Sequence, residues 1–263
     1  MTAKRQRLKR TFTAEQLVAT EFKVLEFDGP WLAHVGRPAQ RLRMIVHGPS
    51  ANGKTRYLLD FAAYLTTFGK VYYNSFEEGK SETLKKAVIE SQILDRVPKG
   101  RLVFGDQDDF DTMLRRMTRR NSPRFLFIDS LDYMDFSVDQ YKVLHDALPE
   151  KGIILVSWSE GKAPKTAAAK AIYYMVDLKC RVAEFKAYLR SRYGGIEPYV
   201  IWPEYWERKA AAAKEKAATL GVPVPPAPAT PPRLPPITSP PPPDEPSELE
   251  DEEALLDSLR YEG

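Results

Sequence analysis

The sequence predicts an α/β fold with a mainly parallel central sheet, flanking helices and an antiparallel C-terminal extension. Three observations carry that expectation. Apolar, β-branched or aromatic runs at 42–47, 71–76, 101–104, 124–128 and 152–158 are separated by helical stretches near 54–68, 80–94, 108–120 and 138–148. Strands spaced by helices imply a parallel sheet covered on both faces. The later runs at 171–178, 181–189 and 198–202 are closely spaced and are expected to pair antiparallel. The first run also breaks into a glycine-containing turn, GPSANGKT at 48–55, immediately before a helix.

Taken in order, residues 1–35 form a basic arm and lead-in, with Lys4, Arg5, Arg7, Lys9 and Arg10 close together. Such an arm either binds phosphates or keeps the chain in solution. Residues 36–221 hold the alternating pattern, closed by PEYWERKAAAAKEKAATLG, whose helix formers end in a glycine. From 222 to 246 prolines remove N–H donors and fix φ, so an extended polyproline-II spacer is expected. Residues 247–263 offer Ser247 as an N-cap and Leu255, Leu256 and Leu259 on one side of a short acidic helix, a peptide suited to a protein partner.

Composition narrows the classes. A chain of 263 residues can bury one ordinary core. A single cysteine, Cys180, excludes an intramolecular disulfide or a cysteine-rich zinc site, and His34, His47 and His145 lack metal-ligand spacing. The N-terminal run has no signal-peptide core and no apolar run reaches bilayer length, so a cytoplasmic protein without membrane contact is expected. The net charge of +3 conceals a basic body and a tail of nine acidic against two basic residues in 222–263. A basic body suits a polyanionic partner.

Gly48, Pro49, Ser50, Ala51, Asn52, Gly53, Lys54 and Thr55 fit G-x-x-x-x-G-K-[ST] at each fixed position. Glycines let successive N–H groups face a phosphate, and the following helix adds its positive end. Lys54 would reach the β- and γ-phosphates of ATP, and the Thr55 hydroxyl would ligate Mg²⁺. A second carboxylate belongs at the tip of another buried strand, and FLFID supplies Asp129, directly or through water. Another acid must handle water. KVYYNSFEEG ends in Glu77 and Glu78, whose side chains point oppositely, so at most one faces the nucleotide.

Together these pieces resemble the RecA-like P-loop ATPases, most closely the RadA/Sms branch. The resemblance rests on NSFEEGKSETLKKAVIE, FIDS, GIILVSWSEGK, YYMVDLK and LRSRYGG, in family order over about residues 36–203. It implies that Glu77 is the water-polarising acid, and that Arg190 and Arg192 match a basic motif reaching nucleotide or DNA across a subunit interface. A homo-oligomer, ring or filament, follows from the same resemblance. Trp158 stands where the family often carries Gln or His, which departs from its γ-phosphate sensor. The family's zinc finger and protease-like region have no counterpart here, which implies a core-only version of phage or mobile-element type. The loops after the fourth and fifth strands would face single-stranded DNA. LDYMDFSVD is acidic, whereas SEGKAPKTAAAKA carries Lys162, Lys165 and Lys170 among small residues, as a mobile phosphate-tracking loop would. Two roles remain open at this point: DNA recombination, repair or replication, or an ATP-controlled adaptor recruiting a partner through residues 244–263. A helicase motor is a third, without a separate unwinding domain in the sequence.

Overall fold

A computed structural model describes residues 11–220, and for 213–220 the backbone alone. The expectations for Lys4 to Arg10, the spacer 222–246 and the tail 247–263 lie outside the described residues. The lead-in contains α1 (Ala14–Val18) and α2 (Gly29–Val35). Alternation follows as β1 (Arg43–Gly48), α3 (Lys54–Leu65), β2 (Val71–Ser75), α4 (Glu82–Glu90), α5 (Ile93–Arg96), β3 (Leu102–Asp106), α6 (Phe110–Thr118), β4 (Phe125–Asp129), α7 (Val138–Ala147) and β5 (Gly152–Glu160). The C-terminal part adds β6 (Ala163–Pro164), α8 (Ala167–Met175), β7 (Leu178–Ala183), β8 (Lys186–Ser191), β9 (Tyr199–Val200) and α9 (Pro203–Leu220).

The sheet runs β3-β2-β4-β5-β1-β7-β8-β9, with β6 paired to the end of β5. The first six strands in that order are parallel to their neighbours, and β8, β9 and β6 are antiparallel. This is the sheet class the sequence predicts. Neighbouring residues of one strand divide between two apolar layers, as a period of two demands. Met44, Val46, Phe125, Phe127, Ile154 and Val156 pack on the α2/α3 side. Ile45, Leu126, Ile128, Ile153 and Leu155 pack on the side of α6, α7 and α8. Each such buried side chain contributes about 1.5–3 kcal/mol of transfer free energy, which fixes both faces of the sheet.

Three expectations need correction. Residues 171–175 are not strand but the end of α8, and β7, which starts at Leu178, is parallel to β1. Tyr173 and Tyr174 favour strand by composition. Thr166, however, caps a helix through Ala169 N, and Ala169 and Ile172 then turn to the core at helical spacing. The run at 181–189 is broken at Glu184 and Phe185, whose φ of 49° and 57° make a tight hairpin turn between β7 and β8. The segment 159–170 is not one loop: β5 continues to Glu160, doubles back through β6, and Lys170 rides on α8. The expected closing helix is present as α9.

Candidate active site

Parallel pairing brings the C-terminal tips of β1, β2, β4 and β5 to one edge. Gly48 lies in register with Trp158, and Ser75 with Asp129. The turn 49–53 leaves β1 at this edge and delivers Lys54 to the first position of α3. Gly53 has φ of 93° and Ala51 of 57°, so the turn uses left-handed backbone twice. Gly48 is needed for another reason: a Cβ there would lie 2.2 Å from Val182 O on β7.

The Lys54 ammonium donates to Gly48 O at 3.0 Å and to Pro49 O at 2.9 Å, curling the loop around its own cation. Burial lowers the Lys54 pKa, while Glu77, Asp129 and Asp132 oppose that by attraction. Asp129 is buried at the tip of β4, and the Tyr73 hydroxyl donates to its Oδ2 at 2.7 Å. Burial pushes its pKa up to about 6, against the pull of Tyr73, with Glu77 and Glu78 adding repulsion and Lys54 attraction. The Asp129–Ser130 peptide is cis.

Glu77 and Glu78 lie in the turn after β2, which ends at Ser75, so strand alternation does not divide them; their surroundings do. The backbone N–H groups of Phe76 and Glu77 both donate to Asp129 O, at 2.5 and 2.9 Å, which ties the end of β2 to the end of β4. Glu77 is half-buried and its pKa is raised by desolvation; a side-chain hydrogen bond from Trp158 and the charge of Lys54 work against that rise. Glu78 instead accepts from the Thr83 hydroxyl at 2.6 Å, at the start of α4.

Asp132 is a site residue that the sequence reading passed over. Trp158 N donates to its Oδ2 at 2.7 Å and the Ser157 hydroxyl to its Oδ1 at 3.3 Å. Its charge acts on both Lys54 and Glu77. The available signal was a second acid three residues after Asp129 in IDSLD, but only the register of β4 beside β5 shows where it points.

The opposite flank of the loop is held by the β7–β8 turn. Glu184 N donates to Asn52 Oδ1 at 2.8 Å, and Phe185 and Ile201 crowd the position a Gly53 Cβ would take. Trp206 Nε1 donates to Glu184 O at 3.0 Å, and Lys209 pairs with the Glu184 carboxylate at 2.5 Å, so α9 is bound to the same turn.

Arg190 and Arg192 do not join the site within their own chain. Arg190 pairs with Lys179, which is level with Ile45, three residues before Gly48. That separation is about 10 Å along the sheet. Arg192 forms an exposed ion pair with Asp177 at 3.2 Å. Lys162, Lys165 and Lys170 are exposed beyond the tip of β5; Lys165 sits over the Trp158 ring and Lys170 pairs with Glu160 at 4.0 Å.

His34 and His47 are buried and their pKa values fall to about 4, chiefly through desolvation, leaving both neutral at pH 7. His34 bonds Tyr57 and Glu197 O, and His47 bonds Ser159, all structural contacts. Among the described residues no group of three His, Cys, Asp or Glu side chains could hold a metal, and no helix is long and apolar enough to cross a membrane. Thr55 and Asp129 are hard oxygen donors, which fits Mg²⁺ completing its shell from phosphates and water.

No family model matches the chain, and no curated protein does. Among solved structures, it is similar to the flagellar accessory protein FlaH of Methanocaldococcus jannaschii, at 15% identity over 68% of this chain and 97% of that one, with a TM-score of 0.45. A KaiC-like protein of Pyrococcus horikoshii OT3 is matched at 15% identity over 60% of this chain and 83% of that one, also at 0.45. An isolated ATPase domain is matched at 13% identity over 60% and 80% of the two chains, at 0.43. The architecture itself stands on this chain's own strand order and register.

Proposed function

We propose that the chain is a RecA-like, Mg²⁺-dependent ATPase that acts on single-stranded DNA in recombination, repair or replication. The observation that carries the proposal is the meeting of Lys54, Asp129 and Glu77 at the tips of three parallel strands. The backbone N–H groups of 50–55 and the N-terminus of α3 suit the β- and γ-phosphates. Lys54 exchanges its two carbonyl partners for phosphate oxygens. Thr55 and Asp129 would hold Mg²⁺, which supplies charge neutralisation between the phosphates. Glu77 orients a water for in-line attack on the γ-phosphorus; the bond to the bridging oxygen breaks and the water proton passes to Glu77 or phosphate. Asp132 holds the Trp158 backbone and so keeps the Glu77 neighbourhood in place.

The work on DNA is supported by the exposed Lys162, Lys165 and Lys170 at the same edge. Arg190 and Arg192 are out of reach of the cradle of their own chain, which suits a role towards a neighbouring copy in a ring or filament. A phage or mobile-element setting rests on the sequence resemblance alone. The second reading, an ATP-controlled adaptor, is favoured by one observation: the cradle is bonded through Glu184 to α9, the helix that leads towards the tail.

Hydrolysis measured with and without single-stranded DNA over a salt series separates the two. Stimulation that fades as salt rises is the outcome expected for the first reading. Indifference to DNA, with a protein captured by residues 244–263, would replace it by the second.

A further inference from the structure

The strands begin at the edge of the sheet opposite the phosphate loop, and that entry edge is lined with cations. Arg101, Lys70, Arg124 and Lys151 stand immediately before β3, β2, β4 and β5, which are consecutive neighbours in the sheet. Their backbones extend the ladder by one step. Val71 N donates to Arg101 O at 2.8 Å, Arg124 N to Lys70 O at 2.8 Å and Gly152 N to Arg124 O at 3.0 Å. The row is therefore spaced at about 4.8 Å, the distance between strands. Lys99 lies on the way into β3, and Arg119 and Arg120 follow α6 on the way into β4.

The same edge receives the C-terminal ends of α3, α6 and α7, whose carbonyls attract cations. An inner set answers that need. Arg124 donates to Phe68 O at 2.7 Å beyond α3, Lys151 to Pro123 O at 2.9 Å, and Arg43 to Leu148 O at 2.8 Å after α7. An outer set is left over. Lys70, Lys99, Arg119 and Arg120 are exposed and Arg101 is half-buried. None of these five belongs to an ion pair among the described residues. Asp95, Asp146 and Glu150, exposed on the flanking elements, do not balance them. At the cradle edge the cations are mostly engaged: Lys170 with Glu160, Lys209 with Glu184, and Lys165 and Lys186 over tryptophan rings.

The chain carries a matching anion of its own. DEPSELEDEEALLDSLRYEG, residues 244–263, holds nine acids against Arg260. Residues 221–243 join it to α9, and at about 3.1 Å per residue a chain of that length spans up to about 70 Å. A domain of about 200 residues has a radius of gyration of about 17 Å, so the acids can reach either edge. Charge then decides between the edges, and the unpaired cations are gathered at the entry edge.

We propose that the acidic stretch 244–253 docks in cis on the entry edge, across Lys99, Arg101, Lys70, Arg119 and Arg120, as an electrostatic latch. Single exposed ion pairs are weak, but several in one row act together, and the tether supplies an effective concentration in the millimolar range. The latch parks the tail on the side of the sheet opposite the phosphate loop. It opens as salt screens the pairs, the screening length being about 10 Å at 0.1 M. It stands independently of the ATPase reading, because none of its residues belongs to the cradle.

The test is zero-length carbodiimide coupling of carboxylates to lysine amines in the full chain, read by peptide mass spectrometry. In about 0.05 M salt, 244–253 should couple to Lys70 and Lys99 in preference to the exposed Lys23, Lys80 and Lys162, with a yield unchanged on about hundredfold dilution. In about 0.5 M salt the yield should fall at least about fivefold. Arg119→Glu with Arg120→Glu leaves both lysines in place and should lower it by about as much. Adding Glu252→Arg and Glu253→Arg to that chain should restore coupling from the remaining acids. If the charge-reversed chain loses its circular dichroism spectrum, Arg119→Gln with Arg120→Gln serves in its place.

Absence of coupling from 244–253 to Lys70 and Lys99 would overturn the latch, as would coupling spread evenly over the exposed lysines. A yield that falls in step with dilution overturns it too and assigns the edge to the tail of a second copy. A yield blind to the change at Arg119 and Arg120 removes the charge argument and the latch with it. An edge without tail coupling whose charge reversal instead weakens oligo-dT binding belongs to nucleic acid. None of these outcomes bears on hydrolysis of ATP, so the latch and the ATPase reading fail separately.

Discussion

The two flanks of the phosphate loop are built from different materials. On one side β2, β4 and β5 present carboxylates and a buried tyrosine: Glu77, Asp129, Asp132 and Tyr73. On the other, the β7–β8 turn and α9 present backbone groups and rings: Glu184 N and O, Phe185 and Trp206. The first flank accumulates charge at the cost of stability, since desolvation raises the pKa of both Glu77 and Asp129. The second holds the loop by shape and neutral hydrogen bonds, with the exposed Lys209–Glu184 ion pair tying α9 to the turn behind it. Chemistry and support are divided between the halves of the sheet on either side of β1.

That division can be broken by mutation, most severely at the loop itself. Lys54→Ala should remove measurable nucleotide binding and lower hydrolysis by about a thousandfold or more, read by calorimetric titration and phosphate release. Glu77→Gln should keep nucleotide affinity and slow turnover by about 10²–10⁴. Glu78→Gln, with its carboxylate engaged by Thr83, should stay near wild type; the opposite result would exchange their roles.

Asp129 gives a stability signature. Its folded pKa of about 6 exceeds the ordinary value of 3.8, so between these pH values the folded chain binds more protons than the unfolded one. Its contribution to stability is therefore present below about pH 4 and declines as pH rises through about 6. Asp129→Asn should raise the unfolding free energy at pH 7 by up to about 2–3 kcal/mol, with the gain shrinking towards pH 4 in chemical denaturation. A loss of stability at pH 7 would mean that the carboxylate is stabilised there rather than strained. The smallest effect belongs to the supporting flank. Trp206→Phe removes one neutral hydrogen bond to Glu184 O, a loss of about 0.5–1.5 kcal/mol with Glu77 and Asp129 untouched.

What could be read from the sequence follows the same division. The loop, Asp129 and the five alternating strands were legible because each is a local pattern: glycines at fixed spacing, or an acid closing an apolar run. The preference for Glu77 over Glu78 came from the family resemblance alone; in the fold Glu78 accepts from Thr83, while Glu77 lies within the influence of Lys54. Asp132 was hidden because its partners, Ser157 and Trp158, lie twenty-five residues or more away. The helix at 167–175 was misread because tyrosines outweighed a capping threonine and an alanine run. The Glu184 contacts had no signature at all, being mostly backbone groups on a turn that composition cannot place.

The position of β1 in the sheet sets an order of assembly. Its neighbours are β5, from residue 152, and β7, from residue 178, so Gly48 is not packed until Val182 has arrived. More than a hundred residues must be made after the loop before its walls exist, and such distant pairings form late. During synthesis the emerging chain therefore carries a complete phosphate-loop sequence with no means of using it. If the chain binds ATP as proposed, a fragment ending at α8 should be silent to it.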